Sequence, residues 1–494
     1  MAAFDRRDVL AAVTLGFAGL AASAAGSANA SLWGDEAASI LSAERPLPSL
    51  FTMVQNVDAV HGLYYLGLHF WIHLFGASPF SVRFPSAIAV GIAVGGVVLL
   101  GSRLRGLRFG IIGGIVGAVL PRMTDVGSEA RSYAATAAIA TWLSLIFVLQ
   151  FDSPSPRRRL WVAYGALLAL GTSLFIWVAL VAAAHLVVLL VARDGVRARP
   201  SRIAGWGAAT AAALLIATPV LTFAYLERDQ ISYLERRQLY DVTSMLVTPW
   251  FENPAVAIIA WLLIVAAIAT AIFTPGRADG LVSARALLPI VWMLVPTVFL
   301  LAFSAFIAVY TPRYLAMCAP AVALLMATPI DVLAASRRRA EAAVALAFVL
   351  ALVAPVWLTQ RGPNAKNNSD WAQISATLGA RAKPGDAVAF DDSVRPSRRT
   401  RLALRTYPAG FTGLEDPTLE IPFWENDTWY DRTYTLAKAN SLGRLDEVSR
   451  IWLVEYAIAG KADTDGTATL LDAGFHLAAT IPGHRSLILE YVRS

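Results

Sequence analysis

Long apolar stretches separated by short basic connections fill the chain as far as about residue 358. They run over 8–29, 80–101, 109–122, 132–150, 160–173, 175–192, 203–223, 255–273, 286–308, 314–330 and 341–358. Several fall short of the ~20 residues that a perpendicular membrane helix needs, so their edges are soft. The pattern predicts a polytopic α-helical membrane protein with about eleven transmembrane helices.

The connections 103–108, 157–159, 193–202, 277–285 and 337–339 are rich in arginine, as is the N-terminus at Arg6 and Arg7. If all of these are cytoplasmic, the spans alternate without contradiction and the N-terminus is cytoplasmic. That leaves 30–79, 123–131, 224–254 and everything after 359 outside. These segments hold Asp35, Glu36, Asp58, Asp125, Glu129, Glu227, Asp229, Glu235 and Asp241, so the chemistry is expected on the extracytoplasmic face. Two segments have second readings. Residues 1–30 have the form of a secretory signal peptide, with Ala28-Asn29-Ala30 as the cleavage site. Residues 62–76 are short for a span and carry His69 and His73, which fits a helix lying in the interface.

Composition narrows the class. The chain has 494 residues, is 57% hydrophobic and only 15% charged, with a mean hydropathy of +0.57. A soluble globule is about a quarter charged. The single cysteine, Cys318, excludes internal disulfides and cysteine-based metal sites. The net charge of +6 sits in arginine clusters between apolar runs, which suits topology and not nucleic-acid binding. The arginine- and alanine-rich, lysine-poor composition points to a bacterial plasma membrane.

After residue 360 the composition shifts to Asp, Asn, Pro, Gly and Thr, and no span-length apolar run recurs. A membrane domain is expected over 1–359 and a soluble extracytoplasmic α/β domain over 360–494. Within the latter, 370–381 reads as a capped helix, and 387–390, 451–455 and 487–492 read as buried strands.

Candidate chemistry begins at Trp33-Gly34-Asp35-Glu36, two adjacent carboxylates at the water edge of the membrane, where a charge is costly without a role. Further motifs follow in order: Asp58-Ala59-Val60-His61-Gly62-Leu63-Tyr64-Tyr65, Leu74-Phe75-Gly76 with Arg83-Phe84-Pro85-Ser86, Glu129-Ala130-Arg131-Ser132-Tyr133, and Pro312-Arg313-Tyr314-Leu315. Each is weak alone, but their order and spacing resemble the GT-C glycosyltransferases. Within that superfamily the chain is similar to the protein O-mannosyltransferase and aminoarabinose transferase branch, and most to actinobacterial proteins assigned as mannosyltransferases. The likeness extends weakly into the tail through Asp370-Trp371 and Pro384-Gly385-Asp386. One departure is His61-Gly62, where many relatives carry His-Pro-Pro.

The resemblance implies sugar transfer, with inversion, from a polyprenyl-phosphate-linked donor to an extracytoplasmic cell-envelope acceptor: a protein, a glycolipid or a polysaccharide. Mannose is the expected sugar. Such a displacement needs a base for the acceptor hydroxyl and cations for the leaving phosphate. On this reading Asp35 is the base and Glu36 positions it or the acceptor; the plainer reading is that both favour the start of the next helix. Arg313 is the first candidate for the donor phosphate, with Arg131, Arg236 and Arg237 behind it, because arginine binds phosphate through two parallel hydrogen bonds. Arg313 would otherwise be a snorkelling anchor. Glu129, Asp58, His61, Tyr64, Tyr65, Tyr133 and Tyr314 are expected near the substrate, although Glu129 and Arg131 also suit a local ion pair and the aromatic residues suit interfacial anchors. No cofactor is expected to be required; oxygen ligands from two loops, with Asp35 and Glu129 as the candidates, could hold Mg²⁺ or Mn²⁺. Membrane lipids are expected partners.

The alternative function is a transporter or flippase of a lipid-linked sugar. Transporters place acids or broken helices near the bilayer midplane, often in two matching halves. Here the acids cluster toward one face and the halves do not repeat.

Overall fold

A computed structural model describes residues 4–151, 157–191, 199–230, 241–273, 283–457 and 465–494. Each of the apolar segments read from the sequence coincides with a helix. Among the described residues, seven helices are long and apolar enough to cross a membrane: Arg6–Ala24, Pro79–Arg105, Arg199–Leu226, Pro254–Phe273, Ala284–Phe303, Pro312–Ala335 and Arg339–Thr359. Shorter apolar helices, Leu107–Val119, Tyr133–Leu149 and Ile176–Val191, accompany them. The protein is a multi-pass membrane protein. The segment at 62–76 forms the 14-residue helix Gly62–Phe75, too short to cross a bilayer on its own.

By contacts the chain divides into two compact units that cut across the loop assignment expected from sequence. The first comprises Met1–Ala25, Asp58–Tyr64 and Arg83–Leu358; the second comprises Gly26–Val57, Tyr65–Val82 and Thr359–Ser494.

The first unit is a helix bundle with one continuous apolar core. Pro312–Ala335 is its central element, 83% buried, and its Ala- and Leu-rich face packs on Leu107–Val119 and Pro254–Phe273. Small residues allow close backbone approach, the usual device where lipid offers no hydrophobic drive to association. Gly106, at φ 108, turns Pro79–Arg105 back onto Leu107–Val119. There a Cβ on Gly101 would lie 2.6 Å from the Cα of Gly110. Buried Asp331 receives Arg108 at 2.7 Å and Arg105 at 3.4 Å, so part of the 103–108 arginine cluster is structural. Cys318 is buried and donates to the Trp292 carbonyl.

The second unit holds a four-stranded sheet in the order β1-β4-β6-β5, formed by β1 (Ala387–Phe390), β4 (Arg450–Tyr456), β6 (Ser486–Arg493) and β5 (Phe475–Pro482). β1 runs parallel to β4, while β6 is antiparallel to both β4 and β5. The short strands β2 (Leu419–Ile421) and β3 (Arg432–Thr433) pair separately. The helix Trp371–Arg381 begins where the sequence places it, yet Asp370 does not cap it. Its Oδ2 instead accepts from the Arg485 amide and the Ser486 hydroxyl, both at 2.8 Å.

Into this unit folds the helix Gly34–Glu44, almost wholly buried, against Leu402–Thr406 and Pro396–Arg398. Arg45, at its end, is buried and donates to the carbonyls of Asn426 and Thr428. Arg401 bridges Asp416 and Asp431, and Arg405 shares Asp431, which ties the loops beneath that helix together.

Candidate catalytic site

In the second unit, Trp33 is extended and the helix starts at Gly34, so Asp35 and Glu36 occupy its first turn, where the helix dipole favours carboxylates. The turn is held from both sides: the Leu32 amide donates to Tyr407 Oη at 2.8 Å, and Tyr430 Oη donates to the Gly34 carbonyl at 3.4 Å. The two acids differ in surroundings. Glu36 is 0% exposed, while Asp35 is only partly buried.

In the first unit, five segments bring acids, arginines and rings together. Glu129 is 5% exposed at its side chain, and its Oε1 lies 4.0 Å from Nη1 of Arg313, which is 20% exposed. The Arg313 guanidinium also sits over the Tyr133 ring, 5.5 Å from its centroid. Pro312 opens a 3-10 turn through Cys318 before the helix proper, which sets Arg313 at the span's entry as the sequence suggested. Arg131 approaches Asp58, Nη1 to Oδ2 3.7 Å. Ser86 Oγ donates to the Glu129 carbonyl at 2.6 Å, which fixes the loop carrying both residues.

Asp58 has φ 61, a left-handed conformation that aspartate tolerates better than most residues. Its amide donates to Gln230 Oε1 at 3.2 Å, and the next amide, of Ala59, donates to Glu227 Oε2 at 2.9 Å. Burial raises the pKa of Glu227, and the nearby charge of Asp58 adds to the rise against the Ala59 hydrogen bond. His61 is buried, with Nδ1 3.4 Å from Ser132 Oγ and its ring stacked on Phe175 at 5.7 Å. Tyr133 and Tyr314 lie 6.1 Å apart, and Phe175 meets Tyr314 at 4.9 Å. The arrangement is a largely desolvated aromatic wall with two arginines and three carboxylates, suited to a sugar and its phosphate.

Of the other residues read from sequence, Tyr64 is buried in this unit and Tyr65 in the second. Arg236 and Arg237 lie outside the described residues. The sequence reading missed Phe175 and the buried Arg122, which bridges Asp125 at 2.7 Å and Glu252 at 3.4 Å and donates to the carbonyls of Pro249 and Thr248. It placed Glu227 among the external acids but gave it no role. Among the described residues no group of three or more His, Cys, Asp or Glu side chains is arranged to hold a metal ion. Glu129, one of the two candidate metal ligands, faces a cation in Arg313.

Residues 63–223 match the family described as dolichyl-phosphate-mannose-protein mannosyltransferase. No curated protein sequence matches the chain. Among solved structures, the chain is similar to ArnT from Cupriavidus metallidurans in the apo state, with a TM-score of 0.56, 14% identity, and 98% and 97% of the two chains covered. The same protein bound to undecaprenyl phosphate matches with a TM-score of 0.54, at the same identity and coverage. The oligosaccharyltransferase AglB of Archaeoglobus fulgidus, in complex with an inhibitory peptide and a dolichol-phosphate, matches with a TM-score of 0.51 at 10% identity, covering 99% of this chain and 74% of that one. At these identities the likeness is one of fold.

Proposed function

We propose, from the GT-C glycosyltransferase fold that this chain carries, that it is an inverting enzyme moving a sugar from a polyprenyl-phosphate-linked donor to an extracytoplasmic acceptor. The observation that carries the reading is the desolvated cluster of Glu129, Arg131, Asp58 and Arg313 against Tyr133 and Tyr314. Mannose as the donor sugar is supported by the family description over residues 63–223. A polyprenyl phosphate as leaving group is supported by the similar structures, solved with undecaprenyl phosphate and with a dolichol-phosphate. The membrane is a bacterial plasma membrane, with the N-terminus cytoplasmic and the site outside.

The acceptor hydroxyl oxygen attacks the anomeric carbon as the bond from that carbon to the phosphate oxygen breaks on the opposite face, so configuration inverts. Asp35, the less buried acid of the pair, takes the hydroxyl proton. Sealed Glu36 acts as a positioning residue through the first turn of its helix. Charge collecting on the departing phosphate is met by Arg313, whose planar fork suits two phosphate oxygens. Arg131, set against Asp58, is the second cation.

The test is transfer by purified protein from polyprenyl-phosphate-mannose and a panel of other lipid-linked sugars to cell-envelope glycans. Asp35→Asn is expected to lower turnover by about 10²- to 10⁴-fold. Unchanged turnover in that variant would sink the assigned base. Absence of transfer from every donor by the native chain would favour the flippase.

A further inference from the structure

The second unit contains a cleft that the transfer chemistry above does not use. Trp33 and Gly34 form one side of it, Asn367 and Asn368 another, and Arg398, Tyr456 and Arg485 complete it. We infer that this cleft binds an acidic, hydroxyl-rich saccharide on the acceptor side of the reaction.

Its charge is unbalanced toward the cationic. Asp370 is the acid in the lining, and its Oδ2 is held by the Arg485 amide and the Ser486 hydroxyl. Arg485 Nη1 donates to Tyr456 Oη at 3.0 Å, which fixes its guanidinium along the cleft wall. Three neighbouring arginines are committed elsewhere: Arg399 to Asp392, Arg401 to Asp416 and Asp431, and Arg405 to Asp431. Arg398 lines the cleft, is half-buried, and forms no ion pair among the described residues. A fixed guanidinium beside an uncommitted one is a recognition pair for a carboxylate or phosphate group.

The enclosed space is only about 20 Å³, so the body of a saccharide would lie across the mouth of the cleft, against the rest of the lining. Trp33 is a half-buried indole in the wall, and an aromatic face packs on the C–H side of a pyranose. Asn367 and Asn368 are exposed, with φ 52 and φ 56; two successive residues of this kind in the left-handed region form an unusual turn. Their amides supply donors and acceptors for hydroxyl groups. The acceptor side is preferred because Trp33 and Gly34 lead directly into Asp35, so a saccharide held there lies beside the segment that carries the base. This last step rests on the proposed role of Asp35; saccharide binding does not.

The experiment is calorimetric titration of the full-length protein in detergent with three probes: a soluble tetragalacturonate, a neutral glucose tetramer, and polyprenyl phosphate. The acidic tetramer is expected to bind more tightly than the neutral one. Arg398→Ala should weaken it roughly ten- to hundredfold, as for a lost hydrogen bond to a charged group, and Arg398→Lys should weaken it less, while affinity for polyprenyl phosphate stays within twofold. Thermal unfolding of each variant checks that the fold is intact. Equal binding of acidic and neutral tetramers, or an unaffected Arg398→Ala variant, would overturn the assignment. So would a loss of affinity confined to polyprenyl phosphate, which would give the cleft to the donor. Because binding is read without turnover, a wild-type-like Asp35→Asn enzyme would refute the base and leave this measurement standing.

Discussion

Replacing Gly34 by alanine would set a methyl carbon 2.8 Å from the Cβ and 3.0 Å from the carbonyl carbon of Ser397, with the carbonyl oxygen nearer still. Ordinary contacts of this kind lie at 3.4–4 Å, and the atoms met here are mostly backbone, which cannot swing aside. Either the first turn of Gly34–Glu44 or the 3-10 turn Pro396–Arg398 must therefore move by about 1 Å, a displacement that costs on the order of 10²-fold in rate when it misplaces a reacting group. Asp35 is the adjacent residue. The assay is single-turnover transfer by Gly34→Ala beside Gly207→Ala, a position where an added Cβ meets nothing within 4 Å. Gly34→Ala is expected to lose about two orders of magnitude in the chemical step, whereas Gly207→Ala, inside the helix Arg199–Leu226, should keep native turnover and gain up to about 1 kcal/mol of helix stability. Native turnover in Gly34→Ala, with an unchanged melting temperature, would refute the claim that this backbone contact positions the carboxylate.

Two further outcomes follow from the first unit. Arg313→Lys keeps the charge opposite Glu129 but loses the fork and the stacking on Tyr133, so kcat/KM for the lipid-linked donor should fall roughly tenfold or more; donor saturation curves for the two proteins check this. Glu227 has a pKa raised by burial, so its contribution to stability is present below the ordinary glutamate value of 4.5 and is lost as pH rises through the elevated one. The melting temperature of the native protein is expected to decline across that window, and Glu227→Gln should flatten the decline; parallel profiles for the two would exclude Glu227 as the source.

The helices were legible because a segment solvated by lipid must be apolar along its whole length and must satisfy its own backbone. The strands β1, β4 and β6 were legible as buried apolar runs. β5 was not: among the described residues it is the edge strand beside β6, most of its residues face out, and His476 and Thr480 break the apolar pattern. Asp370 has the right residue type for a cap, but its partners lie 115 and 116 residues away and outcompete the local amides. For the site, individual residues could be proposed from type and order, and Glu129, Arg313 and Tyr133 do meet. The pairing of Glu227 with the Ala59 amide, 168 residues apart, has no local signature. Nor has the burial of Gly34–Glu44 among C-terminal segments, which depends on backbone carbonyls at Asn426 and Thr428 receiving Arg45.

The burial of Cys318 has a practical consequence. It is the chain's single thiol and is enclosed within the helix bundle, so thiol-directed reagents added to the folded protein should find nothing to label. The native sequence then serves as its own cysteine-free background. Single cysteines placed in the arginine-rich connections would report which side of the membrane each occupies, through reagents that do or do not cross lipid. Pairs carrying fluorophores or spin labels, one in each compact unit, would follow the distance between Asp35 and Arg313 as donor is added, without a native residue having been removed.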